Sequence, residues 1–421
     1  MKRRLLTSGA AALAFAVALT GCAAQSTDSS SEGGADGLAA VPGFDPDQGT
    51  IKVGNILALS GPIAAGAKEQ LVGQNAWFDK VNSQGGVAGK YKIELVTADN
   101  QYNAQLAVQA YEKIRGDVVM LSGILGTPSV KALVPLMMRN DGNAVPSNQD
   151  ANIKDEPSLV PIFGSYQTNV VNAVSYLNSS GRAKADSAKY CALVMENDWG
   201  DAVVEGMEYI TDKLGSKVTE VQRFNPTDTQ FTAQMQALKS AQCSVVAFGG
   251  AEGNTPSMVA AASQLNFNPT WVSEFIAHNI GFADMPEVAK YLQSNFVFTG
   301  PGNDLEDTSV EGIKNLKDSI GDKPVTLQYV YGYMQAVTTT TILEKAIEMG
   351  DLSGKGIREA IASTDTLTFQ GLNGEVKLGA DNRILPRTTT LYQFKPSAEN
   401  KYGLKAAEVQ YNAPEGLPDK F

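Results

Sequence analysis

The residues able to do chemistry are few. The chain has one histidine, His278, and three cysteines, Cys22, Cys191 and Cys243, among 421 residues. A metal site built from several imidazoles is excluded by counting, and a Ser-His-Asp triad would have to use His278. The sequence contains no Gly-x-Ser-x-Gly elbow, no Gly-x-Gly-x-x-Gly turn and no P-loop. One feature does suit a ligand. Thr127 and Pro128 precede the helical pattern of Val130 to Met138 and read as N-cap and N1. The free amides and positive dipole end of such a helix suit a carboxylate. A formal charge of −11 and a pI near 4.8 argue against a protein that coats a phosphate backbone. With 43% apolar and 19% charged residues, the chain is globular. What remains is an acidic binder, or an enzyme without histidine chemistry.

The N-terminus indicates the compartment. Lys2, Arg3 and Arg4 precede an apolar run from Leu5 to Leu19, which is too short to span a bilayer comfortably. The run ends in Leu19-Thr20-Gly21-Cys22, which resembles a bacterial lipobox. That resemblance implies a lipoprotein signal peptide over residues 1–21, lipidation of Cys22 and a membrane anchor there, with the protein exported and facing the periplasm or cell exterior. An ordinary signal peptide containing a cysteine is the alternative. Residues 22–49 are rich in Ser, Gly and Asp without apolar period, and read as a flexible tether with the body beginning near Thr50.

From there strand and helix patterns alternate. Strands are expected near 51–57, 91–97, 118–121, 143–146, 189–195, 217–223, 244–249, 270–273, 295–299 and 388–395. Helices are expected near 67–81, 103–115, 130–138, 167–179, 200–214, 229–240 and 255–265. This βαβα order predicts parallel sheets with helices on both faces, in two lobes around a cleft. Ligands of such sheets bind beyond the carboxyl ends of the strands, so the loops after strands are where contacts are expected. Cys191 and Cys243 each sit at the start of a predicted strand. If those strands are parallel neighbours, an exported protein can bridge the two; two buried thiols are the alternative.

Those loops carry a resemblance. Leu59-Ser60-Gly61-Pro62, Asn82 to Lys90, Val96 to Gln101, Asp198-Trp199-Gly200, Asp228-Thr229-Gln230-Phe231 and Phe248-Gly249-Gly250 resemble, in order and spacing, type I periplasmic solute-binding proteins. Within that group they are similar to the leucine/isoleucine/valine-binding branch of ABC importers, over about residues 50 to 400. The resemblance implies an α/β protein of two doubly wound parallel-sheet lobes joined by three crossovers. Its N-terminal lobe would comprise 50–164 and 300–385, and its C-terminal lobe 165–299 and 386–421. It implies no enzyme activity and no cofactor. The expected partners are an amino acid-like small molecule and ABC permease subunits, the chain itself being a monomer.

The resemblance also implies site residues. Thr127 would hold a ligand carboxylate, Glu274 an ammonium, and Trp199 would form an aromatic wall. Ser129, Asn148, Asp150, Tyr166 and Glu252 are further contacts, with Gln328 a weaker one. His278 reads as a structural hydrogen-bonder. Two departures bear on the ligand. Ile63 to Ala67 leaves open space around Gly66 where relatives carry bulk, and Asp150 stands where a carboxylate would be repelled. Together they favour a side chain larger than valine, aromatic or an amide derivative. A ligand sensor of the same fold and an exported enzyme are the competing functions.

The lipobox reading has a direct test. A Cys22→Ser variant should leave the membrane fraction or accumulate unprocessed; a variant as mature and membrane-bound as the wild type contradicts it.

Overall fold

The computed structural model describes residues 37–184, 187–379 and 383–421. The signal segment, Cys22 and the first part of the tether lie outside them. The first lobe is built on β1 (Phe44–Asp45), β2 (Thr50–Leu57), β3 (Lys92–Asp99), β4 (Leu121–Leu125) and β5 (Ala144–Ser147). The last four are parallel in the order β3-β2-β4-β5, and β1 runs antiparallel beside the start of β2. Helices α1 (Ala64–Ser83), α2 (Ala104–Ile114) and α3 (Thr127–Arg139) connect them. The chain then enters the second lobe through α4 (Tyr166–Ser179). There β6 (Tyr190–Met195), α5 (Asp198–Lys213), β7 (Val218–Phe224), α6 (Thr232–Ser240) and β8 (Val245–Gly249) alternate. They are followed by α7 (Thr255–Gln264), β9 (Thr270–Glu274), α8 (Pro286–Asn295) and β10 (Phe296–Gly300).

After β10 the chain returns to cover the first sheet with α9 (Glu311–Ile320), α10 (Leu327–Met349) and α11 (Gly354–Ala362). A small hairpin of β11 (Thr366–Leu367) and β12 (Val376–Lys377) follows. The third crossing delivers β13 (Thr389–Phe394) and β14 (Leu404–Tyr411), giving the second sheet the order β14-β13-β10-β9-β8-β6-β7. Every residue of β4, β5, β6, β8 and β10 is buried, as a parallel sheet covered on both faces requires.

Helix α10 belongs to the first core although it comes late in the chain. It is apolar around most of its circumference (Val330, Tyr331, Tyr333, Met334, Ile342, Leu343) because it lies between α1 and the sheet. Gly73 of α1 and Gly332 of α10 let the two backbones touch; a Cβ at either would collide with the partner helix's main chain. The polar residues of this interface answer one another. Gln74 Nε2 donates to Gln335 Oε1 at 3.0 Å, and Gln335 Nε2 donates to Ser147 Oγ at 3.0 Å. Ser147 Oγ in turn donates to Gln70 Oε1, also at 3.0 Å. A buried network satisfied in this way fixes one register of α10 on α1.

Several expectations shift. The segment 38–49 is no tether: Leu38 and Phe44 are buried in the first core, and the Phe44 ring meets Tyr91 edge-on. A polar, Gly-rich composition hid two apolar anchors there. The strand expected over 118–121 runs over Leu121–Leu125, although Val119 and Met120 already exchange backbone bonds with Lys52 and Gly54 of β2. The strand expected over 388–395, β13, is followed by one that was not expected and that forms the sheet edge. The polar strand β14, with Lys405, Glu408 and Gln410, takes that place, and charges on an edge discourage further pairing.

Cys191 in β6 and Cys243 just before β8 form a disulfide, their Cα atoms 5.9 Å apart, because β6 and β8 are parallel neighbours. The bridge closes a loop of 52 residues. In the chain-entropy account such a loop stabilises by about 4 kcal/mol. The Cys191→Ala, Cys243→Ala double variant should lose stability of that order in urea unfolding. Two titratable thiols in the unfolded, non-reduced mature protein would contradict the bridge.

Candidate functional site

The carboxyl ends of both sheets face one cavity of about 510 Å³ of space free of protein atoms, its mouth included. The first lobe contributes Ile63, Gly66, Ala67 and Gln70 from the start of α1, Tyr102 after β3, and Leu125-Gly126-Thr127. It also supplies Ser147 at the end of β5, with Gln328 and Tyr331 from α10. The second lobe contributes Tyr166, Trp199, Glu252, Phe275 and Ile276. Most of the wall is aromatic or aliphatic, with a few polar groups, the composition of a small-molecule site.

Each wall residue is held by local rules. Gly126, with φ at 103°, ends β4 and caps α3, so Thr127 is the first residue inside the helix and not its cap. Pro128 supplies no amide, which leaves the amides of Thr127 and Ser129 as the free donors of that end. Thr127 Oγ1 lies 3.4 Å from the Tyr166 hydroxyl and 3.5 Å from Asn148 Oδ1. Trp199 stands in the first turn of α5, not in a loop, because Asn197 caps that helix and accepts from the amides of Trp199 and Gly200 at 3.1 Å each. Its ring packs 5.9 Å from Tyr166, and its indole N–H has no acceptor in the protein. Phe275 and Tyr331 form the facing aromatic pair, with centroids 6.0 Å apart.

Glu252 crosses the gap. Its Oε1 accepts the amide of Gly66 at 2.8 Å, so a carboxylate of the second lobe caps the amino end of α1 in the first. Its Oε2 accepts from Asn279 at 3.0 Å. Burial raises its pKa, against which these hydrogen bonds pull. Further bonds span the lobes nearby. The Gly253 amide donates to the Pro62 carbonyl at 3.2 Å. Lys131 of α3 bonds Asp198 of α5 at 2.8 Å, and the Tyr402 hydroxyl donates to Gln328 at 3.1 Å. The cleft is closed.

Of the residues expected from sequence, Gly66, Thr127, Tyr166, Trp199, Glu252 and Gln328 line the cavity. Four do not. Glu274 lies behind the wall, on a separate void lined by Val170, Val203, Phe248 and Thr299, its field felt by the Tyr166 and Tyr331 phenols. Asn169 donates to its Oε1 at 2.7 Å, and its Oε2 has no partner. Asp150 is not part of the cavity wall. It caps the turn at Ala151–Ile153, pairs with Lys131 at 3.3 Å and accepts from Gln167 at 3.1 Å, so the repulsion expected of it is already answered. Ser129 is buried against Asn100, and Asn148 serves the Asp150 amide at 2.6 Å. The space expected around Gly66 is filled by Gln328, whose Cγ would lie 3.3 Å from a Cβ there. Tyr102, Phe275 and Ile276 lie in loops after strands, where contacts are expected, but were not singled out, and Gln70 and Tyr331 lie outside those loops. Gln70 and Tyr331 sit inside helices, where only the α1–α10 packing brings them to the cleft.

His278 is structural. It sits among Phe282, Phe298, Phe394 and Tyr402, with Nε2 2.7 Å from the Tyr402 carbonyl. No cluster of metal-ligating side chains exists among the described residues.

A family model described as periplasmic binding protein matches residues 50–401. The chain belongs to the periplasmic binding protein family. A Leu/Ile/Val-binding protein homolog 7 of Brucella suis is 22% identical over 349 residues, 78% of this periplasmic binding protein and 84% of the relative. Homolog 3 of Brucella melitensis is 24% identical over a shorter stretch, and the aligned part spans about half of each, 48% and 55%. Among solved structures, a fatty acid ABC transporter substrate-binding protein from Thermomonospora curvata superposes with a TM-score of 0.83 at 23% identity. The match covers 91% of this chain and 97% of that one. At that identity the likeness establishes the fold: α/β, two parallel-sheet lobes. The family's members bind solutes and are not enzymes. Among the described residues no helix is long and apolar enough to cross a membrane.

Burial pushes the Glu274 carboxyl up to about 8, opposed by the Asn169 bond, and pushes His278 down to about 4, opposed by the Tyr402 carbonyl. The folded protein therefore keeps the Glu274 proton where the unfolded chain, near 4.5, has released it. Stability attached to Glu274 is full below that value and falls as pH rises towards 8. His278 acts oppositely, since the unfolded chain binds its proton from 6.5 downward and stability falls as pH drops towards 4. Glu69, held up at about 7 mainly by burial, adds to the Glu274 slope below that value. Glu274→Gln should thus gain stability relative to wild type as pH rises from about 5 to about 8, by a few kcal/mol. Urea midpoints across that range check it; a pH-independent difference contradicts it.

Proposed function

We propose that this protein is an exported, lipid-anchored solute receptor that captures one small organic molecule between its lobes and presents it to the permease of an ABC importer. The single observation that carries this reading is the cavity itself. It lies where two parallel sheets aim their carboxyl ends, is walled by aromatic rings, and is roofed by hydrogen bonds that join the lobes. A site divided between lobes joined by three strands of chain opens and closes by hinge motion, which permits entry and release. The anchor at Cys22 would hold the receptor near its permease, and one copy of the chain supplies the whole wall, in keeping with a monomer. The curated relatives named for leucine, isoleucine and valine, and the fold neighbour named for fatty acid, bracket the ligand as a small organic acid, with or without an amino group.

Native mass spectrometry of freshly purified protein tests the reading, because a closed cleft retains its solute. One molecule of bound solute per chain is expected. A chain that carries none, and takes none from a pool of small metabolites, contradicts the proposal. With that solute, Trp199→Ala should weaken binding by about 1–3 kcal/mol through loss of the wall. Thr127→Val, which removes one hydroxyl at the head of α3, should weaken it by about 1 kcal/mol. Calorimetry reads both, and affinities equal to wild type would displace the solute from this cavity.

A further inference from the structure

Of the contacts described above that close the cleft, Lys131 to Asp198 is the one with a full charge on each side. Lys131 lies one turn beyond Thr127 on α3, and Asp198 opens α5 directly before Trp199. Two helices that bring wall residues from opposite lobes therefore also carry this pair. Lys131 has a second partner, in its own lobe. Asp150 Oδ2 lies 3.3 Å from its ammonium, and the Asp150 side chain is 1% exposed. Asp150 Oδ1 is taken by the Asn152 amide at 3.0 Å and by Gln167 Nε2 at 3.1 Å. Oδ2 is left to aim Lys131.

The two arms of this lysine differ. The Lys131–Asp150 arm joins residues of one lobe, and its carboxylate is sheltered. A buried carboxylate stripped of its cation is heavily penalised, so Asp150 keeps the ammonium in place whether the lobes are together or apart. The Lys131–Asp198 arm crosses the gap, and its two side chains are 34% and 39% exposed. An exposed pair ordinarily gains little, because two long side chains lose rotamer freedom in forming it. Here the lysine is ordered beforehand by Asp150, which reduces that loss. The exposed arm is also open to screening, whose length falls to about 4 Å near half-molar salt.

We propose that Lys131 is an ionic latch on lobe closure: Asp150 holds it ready in the first lobe, Asp198 is captured as the second lobe swings in, and the closed fraction thereby depends on ionic strength. The inference rests on the proposed function, because it needs the hinge motion of a solute receptor. It adds a determinant of closure that lies outside the solute cavity, with Lys131 as a positioning residue for the lobes.

Hydrogen exchange reads the latch away from the pair itself. The amides of Gly66 and Gly253 donate across the gap, to Glu252 and to Pro62, so their exchange follows the open fraction, while amides inside β6 serve as the control. Full-length mature protein as purified is compared by residue-resolved mass spectrometry at about 20 mM and about 500 mM KCl. At low salt Lys131→Met should speed exchange at Gly66 and Gly253 about two- to fivefold, the range an exposed pair supports, with β6 unchanged. Asp198→Ala, which leaves the Lys131–Asp150 arm intact, should do the same, and the double variant should be no faster than either single one. High salt should produce the same rise in wild type, and Lys131→Arg should keep the low-salt protection. Exchange equal to wild type in both single variants, or effects that simply add in the double variant, overturns the proposal. Native mass spectrometry of the same samples keeps the two claims apart. A chain that retains a solute but does not respond to the substitutions loses the latch and keeps the receptor reading. A chain that holds no solute, yet responds, loses the receptor reading and keeps the latch.

Discussion

The closed arrangement rests on the amide of Gly66 donating to Glu252 across the gap between lobes. Parallel strands need crossover connections, usually helices, so each sheet presents its carboxyl edge as a row of loops and helix beginnings. Where two such edges meet, the helix ends bring unpaired amides that must find acceptors once water is excluded. At α1 the acceptor is built in and comes from the other lobe. At α3 no side chain caps the helix, which is why the proposed function places the solute there.

The strength of that latch depends on elements far from it in sequence. Glu252 is held by Asn279, which follows β9, and the start of α1 is held by α10, more than two hundred and fifty residues later in the chain. The glycine-mediated contact of α1 with α10 therefore positions Gly66 and Gln328 together, and Tyr402 ties Gln328 to the second lobe. His278 meets the Tyr402 ring edge-on and bonds its carbonyl, so a buried neutral imidazole supports the wall from behind without touching the cavity. Packing, rather than any chemistry on the solute, is the use made of the lone histidine.

Much of the fold was legible from periodicity. Continuous apolar strands such as Tyr190–Met195, separated by amphipathic helices, allow few arrangements besides parallel sheets, whereas the choice between a Cys191–Cys243 bridge and two buried thiols stayed open until the structure made β6 and β8 neighbours. The anchors Leu38 and Phe44 were hidden by polar surroundings, and β14 by its charged, largely exposed residues. Residues expected just after strands, Thr127 and Trp199 in the first turns of α3 and α5 and Glu252 in the loop after β8, do line the cavity. The site was misread where a one-residue difference in aim decides the outcome. Glu274 and Phe275 are adjacent, yet Phe275 lines the cavity and Glu274 faces the core behind it. Asp150 was misjudged because its neutralising partner, Lys131, comes from another helix and carries no sequence signature.

The account's central claim is that this closed form is the solute-bound member of a hinged pair, held together by contacts across the gap. Small-angle X-ray scattering on the stripped protein, before and after its copurified solute is restored, measures this directly. The account predicts a larger radius of gyration for the stripped protein and a return, on loading, to the scattering curve calculated from the closed structure. Identical curves in both states, with the solute demonstrably bound, would contradict it.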